Sequence, residues 1–138
     1  MFVLDCSVVM AACLSDEASD YADAVLTSLT HQTARVPALW VYEIGNVLLM
    51  AERRKRIQTA QRIQYLNSIS SLPIKIAKTP SVSQLGSLVS LSQDLGLSLY
   101  DASYLDLAVQ EKLPLASLDR RLLEAALKIG VPQYRPLV

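Results

Sequence analysis

The sequence predicts an α/β protein, a three-layer sandwich in which helices flank a short, mainly parallel β-sheet. Short apolar runs of strand length recur along the chain, and segments with helical periodicity separate them. Of the 138 residues, 51% are apolar, so the chain can bury a core without disulfides or structural metals. No linker, repeat or low-complexity block divides the sequence, which predicts a single domain over residues 1–138.

Four apolar runs have the length and composition of buried strands. They cover residues 1–4, 35–39, 74–77 and 115–118. The end of the chain, residues 133–138, suggests one further short strand.

Helices are predicted between these strands, and capping and breaking residues set their limits. Acids at the start of residues 16–30 favour a helix N-terminus, and Thr79 followed by Pro80 predicts another. Gly96 and Gly130 are placed to end two helices. The predicted helices cover residues 7–14, 16–30, 40–56, 59–69, 79–96, 97–109 and 119–129. The inner face of the helix that follows Pro80 is predicted to contain Val82, Leu85, Leu88, Val89 and Leu95.

Charge and cysteine content limit the classes of function. Thirteen basic and thirteen acidic residues cancel, so a nucleic-acid partner would have to be held by a local patch. Cys6 and Cys13 lack the spacing and histidine neighbours of a zinc site, which predicts reduced, buried thiols. The N-terminus does not resemble a signal peptide, and no apolar run is long enough to cross a bilayer. We therefore expect a cytoplasmic protein with no membrane association.

Two acids directly follow predicted strands. In an open parallel sheet, chemistry collects beyond the carboxyl ends of the strands, and Asp5 and Asp119 lie at such ends. An aspartate in this position also often caps the following helix, so each has a structural alternative.

The segment LSLYDASYLDLAV, residues 97–109, contains two more acids. At about 100° per residue, Ser103, Asp106 and Gln110 fall on one stripe that we expect to face solvent. Asp101 projects to the opposite side, towards the interior or a cleft. The helix dipole favours an acid in the first turn, but this preference does not explain why Asp101 faces inward.

Glu43, in ALWVYEIGNVLL, borders an apolar helical stripe and shares its side with Asn46. Considered alone, it fits the flank of a helix better than it fits a ligand. Four acids near one point would repel each other unless a cation lay between them, and carboxylate oxygens suit Mg²⁺. Such an ion acidifies a bound water and stabilises charge on a phosphate, which makes phosphodiester hydrolysis the natural reaction.

Other polar and aromatic groups have simpler interpretations. The basic run ERRKR, residues 52–56, is typical of a solvated helix end, although RNA phosphate would also suit it. Arg120 and Arg121 follow Asp119 and are candidates for contact with a substrate phosphate. Tyr100 and Tyr104 have helical i, i+4 spacing, which indicates core packing rather than base stacking.

The four acidic segments resemble the acidic blocks of PIN domains, in the family's order and over nearly the whole chain. They are LDCS, ALWVYEIGNVL, LSLYDASYLDLA and LASLDRRL, and the closest resemblance is to VapC-type toxins of toxin–antitoxin pairs. Two positions depart from the family pattern: Ser117 stands where threonine is common, and Cys6 where a smaller residue is usual.

This resemblance implies an endoribonuclease that depends on Mg²⁺ or Mn²⁺ and acts as a toxin on RNA. It implies that Asp5, Glu43, Asp101 and Asp119 form the catalytic and metal-binding site, and that Asp5 and Asp101 hold metal most directly. The polar positions around the site that match the family are Ser7, Asn46 and Ser117. It also implies a homodimer and a VapB-like antitoxin partner.

Two alternatives keep an α/β fold. The first is a PIN-like module without catalytic activity that acts by protein binding, although the four retained acids argue against it. The second is a phosphoaspartate receiver, which would need a lysine at a strand end near its acids. The predicted strand ends offer no convincing lysine.

Overall fold

The computed structural model describes residues 1–137 and contains a four-stranded sheet flanked by helices. The strands are β1 (Phe2–Leu4), β2 (Ala34–Val36), β3 (Ile74–Ile76) and β4 (Leu115–Ala116). Their order in the sheet is β3-β2-β1-β4, and every neighbouring pair is parallel. The predicted α/β class with a parallel sheet is confirmed.

The strand β1 is fully buried because helices cover both faces of the sheet around it. Phe2, Val3 and Leu4 are each 0% exposed, which explains why this strand is continuously apolar rather than alternating. The ring of Phe2 also stacks on that of Tyr134, with the ring centroids 4.0 Å apart.

Within residues 1–137, seven α-helices connect or follow the strands, and most lie where the sequence predicts them. They are α1 (Cys6–Cys13), α2 (Asp20–Ser28), α3 (Leu39–Arg53), α4 (Thr59–Ser70), α5 (Leu85–Leu95), α6 (Leu99–Glu111) and α7 (Arg120–Lys128). Helix α1 packs against α2 and α3, and α6 packs against α5, β1 and β4.

Two predicted helix starts are wrong. Helix α2 begins at Asp20 rather than at residue 16, because Ser15–Glu17 forms a separate 3₁₀ turn and Ser19 caps the helix. The helix predicted to begin at Thr79–Pro80 also begins later. A second 3₁₀ turn, Val82–Gln84, precedes it, and the Ser81 backbone N–H donates to the Gln84 side chain at 2.8 Å.

The predicted inner face of α5 is only partly correct. Leu88 is buried there, but Val82 is 85% exposed and Val89 is 49% exposed. The late helix start removes Val82 from the helical stripe. Ser92 is buried instead, and its hydroxyl donates to the Leu88 carbonyl at 2.9 Å.

The strand predicted over residues 133–138 is reduced to a single parallel bridge between Leu115 and Gln133. The final residue of that prediction, Val138, lies outside the described residues.

The basic run at the end of α3 is partly neutralised. Arg56 pairs with Asp16 at 2.8 Å and with Glu17 at 3.2 Å, as a solvated helix end would. Within residues 1–137, no helix combines the length and the apolar character needed to cross a membrane.

Candidate active site

The sheet order makes β1 the strand at which the direction of the connections changes. The connection from β1 leads to β2 on one side, whereas β4 lies on the other side, so the strand order reverses at β1. Open α/β sheets bind ligands at this switch point. Asp5 directly follows β1, and Ser117 directly follows β4.

Asp5 is almost buried, at 8% exposure, and two serine hydroxyls bind the same oxygen of its carboxylate. Ser7 and Ser117 each donate to Oδ2 at 2.7 Å. Each hydroxyl in turn accepts a backbone N–H, from Leu118 at 3.0 Å and from Asp119 at 2.9 Å. These N–H donors fix the direction of both hydroxyl protons, towards Asp5. Its Oδ1 accepts no hydrogen bond from the described residues, so it remains available to a ligand.

The capping alternative separates Asp5 from Asp119, which does not directly follow β4 as predicted because that strand already ends at Ala116. Asp5 occupies the N-cap position of α1 without making a side-chain capping bond. Asp119 does cap α7, since its Oδ1 accepts the backbone N–H groups of Arg121 at 3.0 Å and Leu122 at 3.2 Å. Sequence reasoning left both alternatives open, and the structure shows capping only for Asp119.

Asp101 and Asp106 lie five residues apart on α6 and so project to different sides of the helix, but both are only partly exposed. Of the stripe expected to face solvent, only Gln110 is exposed, whereas Ser103 is partly buried. Asp101 is half-buried in the first turn, where its backbone N–H donates to Ser98 at 3.1 Å. Asp106 accepts a hydrogen bond from Gln110 at 2.9 Å along the opposite stripe.

Glu43 has a partner that sequence reasoning missed. The Tyr104 hydroxyl donates to Oε1 of Glu43, which joins α6 to α3. Tyr104 is 0% exposed, and a buried phenol needs a hydrogen-bond partner. Helical spacing alone indicates only that residue 104 packs in the core. The signal in the sequence was that this residue is tyrosine rather than phenylalanine, because a buried hydroxyl implies a polar partner.

The structure brings the four acids close enough for their charges to act on one another. Burial raises the pKa of Asp5, and the charges of Asp119 and Asp101 raise it further, against the lowering effect of the serine donors. Burial likewise raises the pKa of Glu43, with added repulsion from Asp5 and Asp101. The pKa of Asp101 is raised by burial and by the charge of Asp119. Mutual repulsion of this kind favours a cation between the acids.

The remaining predicted residues lie around this cluster. The Arg121 guanidinium donates to the Gly96 carbonyl. Its positive charge offsets part of the effect of burial and of Asp119, which raise the pKa of Asp101. Arg120 is exposed next to Asp119, and Asn46 is exposed one helical turn after Glu43.

The donor set fits a hard divalent ion, although the side chains are not closed around one. No group of three His, Cys, Asp or Glu side chains within residues 1–137 is close enough to hold a metal. Mg²⁺ needs only one or two carboxylates together with waters and substrate oxygens. The unused Oδ1 of Asp5 and the carboxylate of Asp101 satisfy that requirement chemically.

The raised pKa values predict how stability depends on pH. For Asp5, Glu43 and Asp101 the folded pKa lies above the unfolded one, so the native state binds more protons between the two values. Their contribution to the free energy of unfolding therefore falls as pH rises from about 4 through the raised values. In EDTA, we expect Asp5→Asn to melt at a higher temperature than the wild type at pH 7.

Circular dichroism melting curves at several pH values would measure this effect, with Asp106→Asn as the control. Added Mn²⁺ should raise the melting temperature of the wild type more than that of Asp5→Asn, because binding to the native state stabilises it. If the wild type melted at a higher temperature than Asp5→Asn at pH 7 in EDTA, the buried charge of Asp5 would not lower the stability of the native state. The prediction would then be wrong.

Comparison with known proteins identifies the family. A model of the PIN domain matches residues 2–128, most of the chain. The chain belongs to the PIN-domain family. PIN domains are commonly nucleases and typically bind divalent metals. The resemblance to PIN domains is thereby confirmed, whereas the VapC type stays a prediction.

A solved structure agrees with this fold. The crystal structure of PAE2754 from Pyrobaculum aerophilum has a TM-score of 0.70 to this PIN domain at 26% sequence identity. The similarity covers 90% of this chain and 83% of that chain. A search of curated proteins gave no match.

Proposed function

We propose that this PIN domain is a metal-dependent endoribonuclease that cleaves RNA phosphodiester bonds. The observation that supports this function best is the electrostatic coupling among Asp5, Glu43, Asp101 and Asp119, which come from separate elements, with Asp5 at the switch point of the sheet. Each of the first three has a raised pKa that includes repulsion from another member of the cluster. A nuclease that uses a divalent ion requires such a concentration of oxygen ligands.

Within this site, Asp5 and Asp101 would hold the ion most directly, and Glu43 and Asp119 would complete its surroundings. When bound, Mg²⁺ or Mn²⁺ supplies a Lewis acid that acidifies a water and offsets charge on the scissile phosphate. Ser7 and Ser117 keep Oδ2 of Asp5 occupied, so that Oδ1 would be the oxygen that holds the ion. Asp119 commits Oδ1 to capping α7, which leaves its Oδ2 to orient the attacking water.

Two arginines would provide positive charge for the RNA. Arg121 is held against Gly96, so its guanidinium is a fixed charge beside Asp101. Arg120 is exposed and can meet a phosphate that approaches the cluster. A net charge of zero makes such local charges the means of contact with RNA.

The resemblance of the acidic segments to VapC-type toxins supports a narrower role. We propose that the protein is a cytoplasmic toxin, that it forms a homodimer, and that a VapB-like antitoxin inhibits it. Exposed apolar side chains on three helices offer surface for such contacts: Tyr42 is 82% exposed, Ile63 50% and Val89 49%.

Cleavage of RNA by the purified chain tests the activity. We expect the protein, separated from any antitoxin under denaturing conditions and refolded, to fragment RNA in Mn²⁺. EDTA should stop the reaction and excess Mn²⁺ should restore it, because the acids alone cannot activate water at neutral pH. Single-stranded DNA of the same sequence serves as the control substrate.

Gel analysis of end-labelled RNA would distinguish internal cuts from exonuclease ladders. A folded protein that binds Mn²⁺ without cleaving any RNA would overturn the proposed activity in favour of a catalytically silent PIN-like module that acts through protein binding.

A further inference from the structure

The hydroxyl of Tyr104 has no assigned role in the proposed chemistry. Tyr104 lies on α6, one helical turn after Asp101, and its side chain is 0% exposed. Its O–H donates to Oε1 of Glu43 on the neighbouring helix α3. Phenylalanine would fill almost the same volume without burying a polar atom. Packing therefore accounts for the ring but not for the hydroxyl.

Without a hydrogen-bond donor to fix it, the Glu43 side chain would favour an orientation away from the other acids. Its side chain is long and flexible, it is only half-buried, and the negative charges of Asp5 and Asp101 oppose its ionised form. Solvent is open to it on the exposed side of α3, where the neighbouring Tyr42 is 82% exposed. A hydrogen bond from a buried, immobile donor offsets both the repulsion and the loss of side-chain freedom.

The geometry of the bond determines which oxygen remains for the site. Tyr104 binds Oε1, so Oε2 of Glu43 is the oxygen left for a ligand. The same arrangement occurs at Asp5, where the serines bind Oδ2 and leave Oδ1. In each acid, one carboxylate oxygen is fixed by the protein and the other is left open.

We propose that Tyr104 is a positioning residue, and that its hydroxyl holds the Glu43 carboxylate in the orientation that binds the divalent cation. This inference rests on the proposed metal-dependent function. Helix α6 then serves the site twice: its first turn supplies Asp101, and its second turn orients an acid on α3. Tyr104 touches neither the cation nor the RNA.

The variant Tyr104→Phe removes the hydroxyl and keeps the ring. Tyr21→Phe is a matched control, since the Tyr21 hydroxyl donates to the main-chain carbonyl of Tyr134 at 2.7 Å rather than to an acid. Mn²⁺ dissociation constants would be measured by electron paramagnetic resonance on the full chain. We expect Tyr104→Phe to weaken Mn²⁺ binding about tenfold, as the loss of a group that orients a metal ligand does. Tyr21→Phe should bind like the wild type.

A double-mutant cycle separates positioning from general damage to the fold. In a Glu43→Ala background, Tyr104→Phe should weaken Mn²⁺ binding no further, because the carboxylate on which it acts is gone. Melting temperatures show whether each variant is folded. Equal Mn²⁺ affinities of Tyr104→Phe and the wild type would overturn the proposal, as would a full additional loss in the Glu43→Ala background.

A second measurement works without metal. The ¹³C resonance of the Glu43 carboxylate in EDTA should shift in Tyr104→Phe and stay in place in Tyr21→Phe. If the wild type bound no Mn²⁺, the proposed function would fail and this resonance would decide the role of Tyr104. An unchanged Glu43 resonance would then show that the phenol does not orient the acid.

Discussion

Asp101→Asn is expected to lower Mn²⁺-dependent RNA cleavage by about 10³-fold, whereas Asp106→Asn leaves it unchanged. Both variants exchange one carboxylate for an amide on the same helix, five residues apart. Asp101 lies among the clustered acids, and the charge of Asp119 raises its pKa. Loss of this ligand removes charge stabilisation that the reaction needs, a class of effect that typically costs about 10²–10³-fold or more. Among the described side chains, Asp106 pairs only with Gln110, on a different side of the helix.

Initial rates on a short end-labelled RNA would measure the difference, with protein concentrations matched by folded fraction. Expression in growing cells gives a second readout, since Asp101→Asn should also relieve toxicity. A comparable loss of cleavage in Asp106→Asn would show that the acidic face of α6 has been assigned to the wrong side.

The second large effect concerns the two serines that bind Asp5. We expect Ser7→Ala combined with Ser117→Ala to weaken Mn²⁺ binding about 10–100-fold, the usual cost of removing groups that orient a metal ligand. Both hydroxyls donate to Oδ2 of Asp5, and these hydrogen bonds lower its pKa against the effect of burial. Without them the buried carboxylate becomes both more easily protonated and freer to rotate.

The chain offers a matched control for this double variant. Ser28 and Ser92 are also buried, but they donate to helix carbonyls, of Val25 at 2.6 Å and of Leu88 at 2.9 Å. Ser28→Ala combined with Ser92→Ala removes the same atoms without touching Asp5. Titration with Mn²⁺ by calorimetry compares the two proteins. If both double variants lost affinity equally, the serines near Asp5 would have only a general structural role.

Periodicity was sufficient to predict the fold class, whereas strand-end position and helix faces only nominated the candidate acids. The continuous apolar run Phe2–Leu4 predicts a buried strand, and the structure shows that β1 is buried and that it pairs in parallel with β4. The two faces of α6 follow from helical geometry alone, which distinguishes Asp101 from Asp106.

Other features depend on tertiary contacts that no local pattern contains. The start of α5 was misplaced because Ser81 and Gln84 form a competing cap after Pro80. Helical spacing assigned both Tyr100 and Tyr104 to the core, which is wrong for Tyr100, at 66% exposure, and correct for Tyr104. Only the contact of Tyr104 with α3 shows what its hydroxyl does. Capping by Asp119 likewise could not be distinguished from a role in the site before the side chain was placed.

The hydrogen bonds of Asp5 make this one side chain a bridge between distant parts of the chain. Through Ser7 and Ser117, its carboxylate connects the loop after β1 to the backbone of Leu118 and Asp119, more than a hundred residues further along. Truncation at this position would remove the acceptor of both serine hydroxyls as well as empty the site. An inactive protein made with alanine would therefore confound lost chemistry with a loosened fold. The amide, which retains an oxygen for both serines, is the substitution that isolates the chemistry.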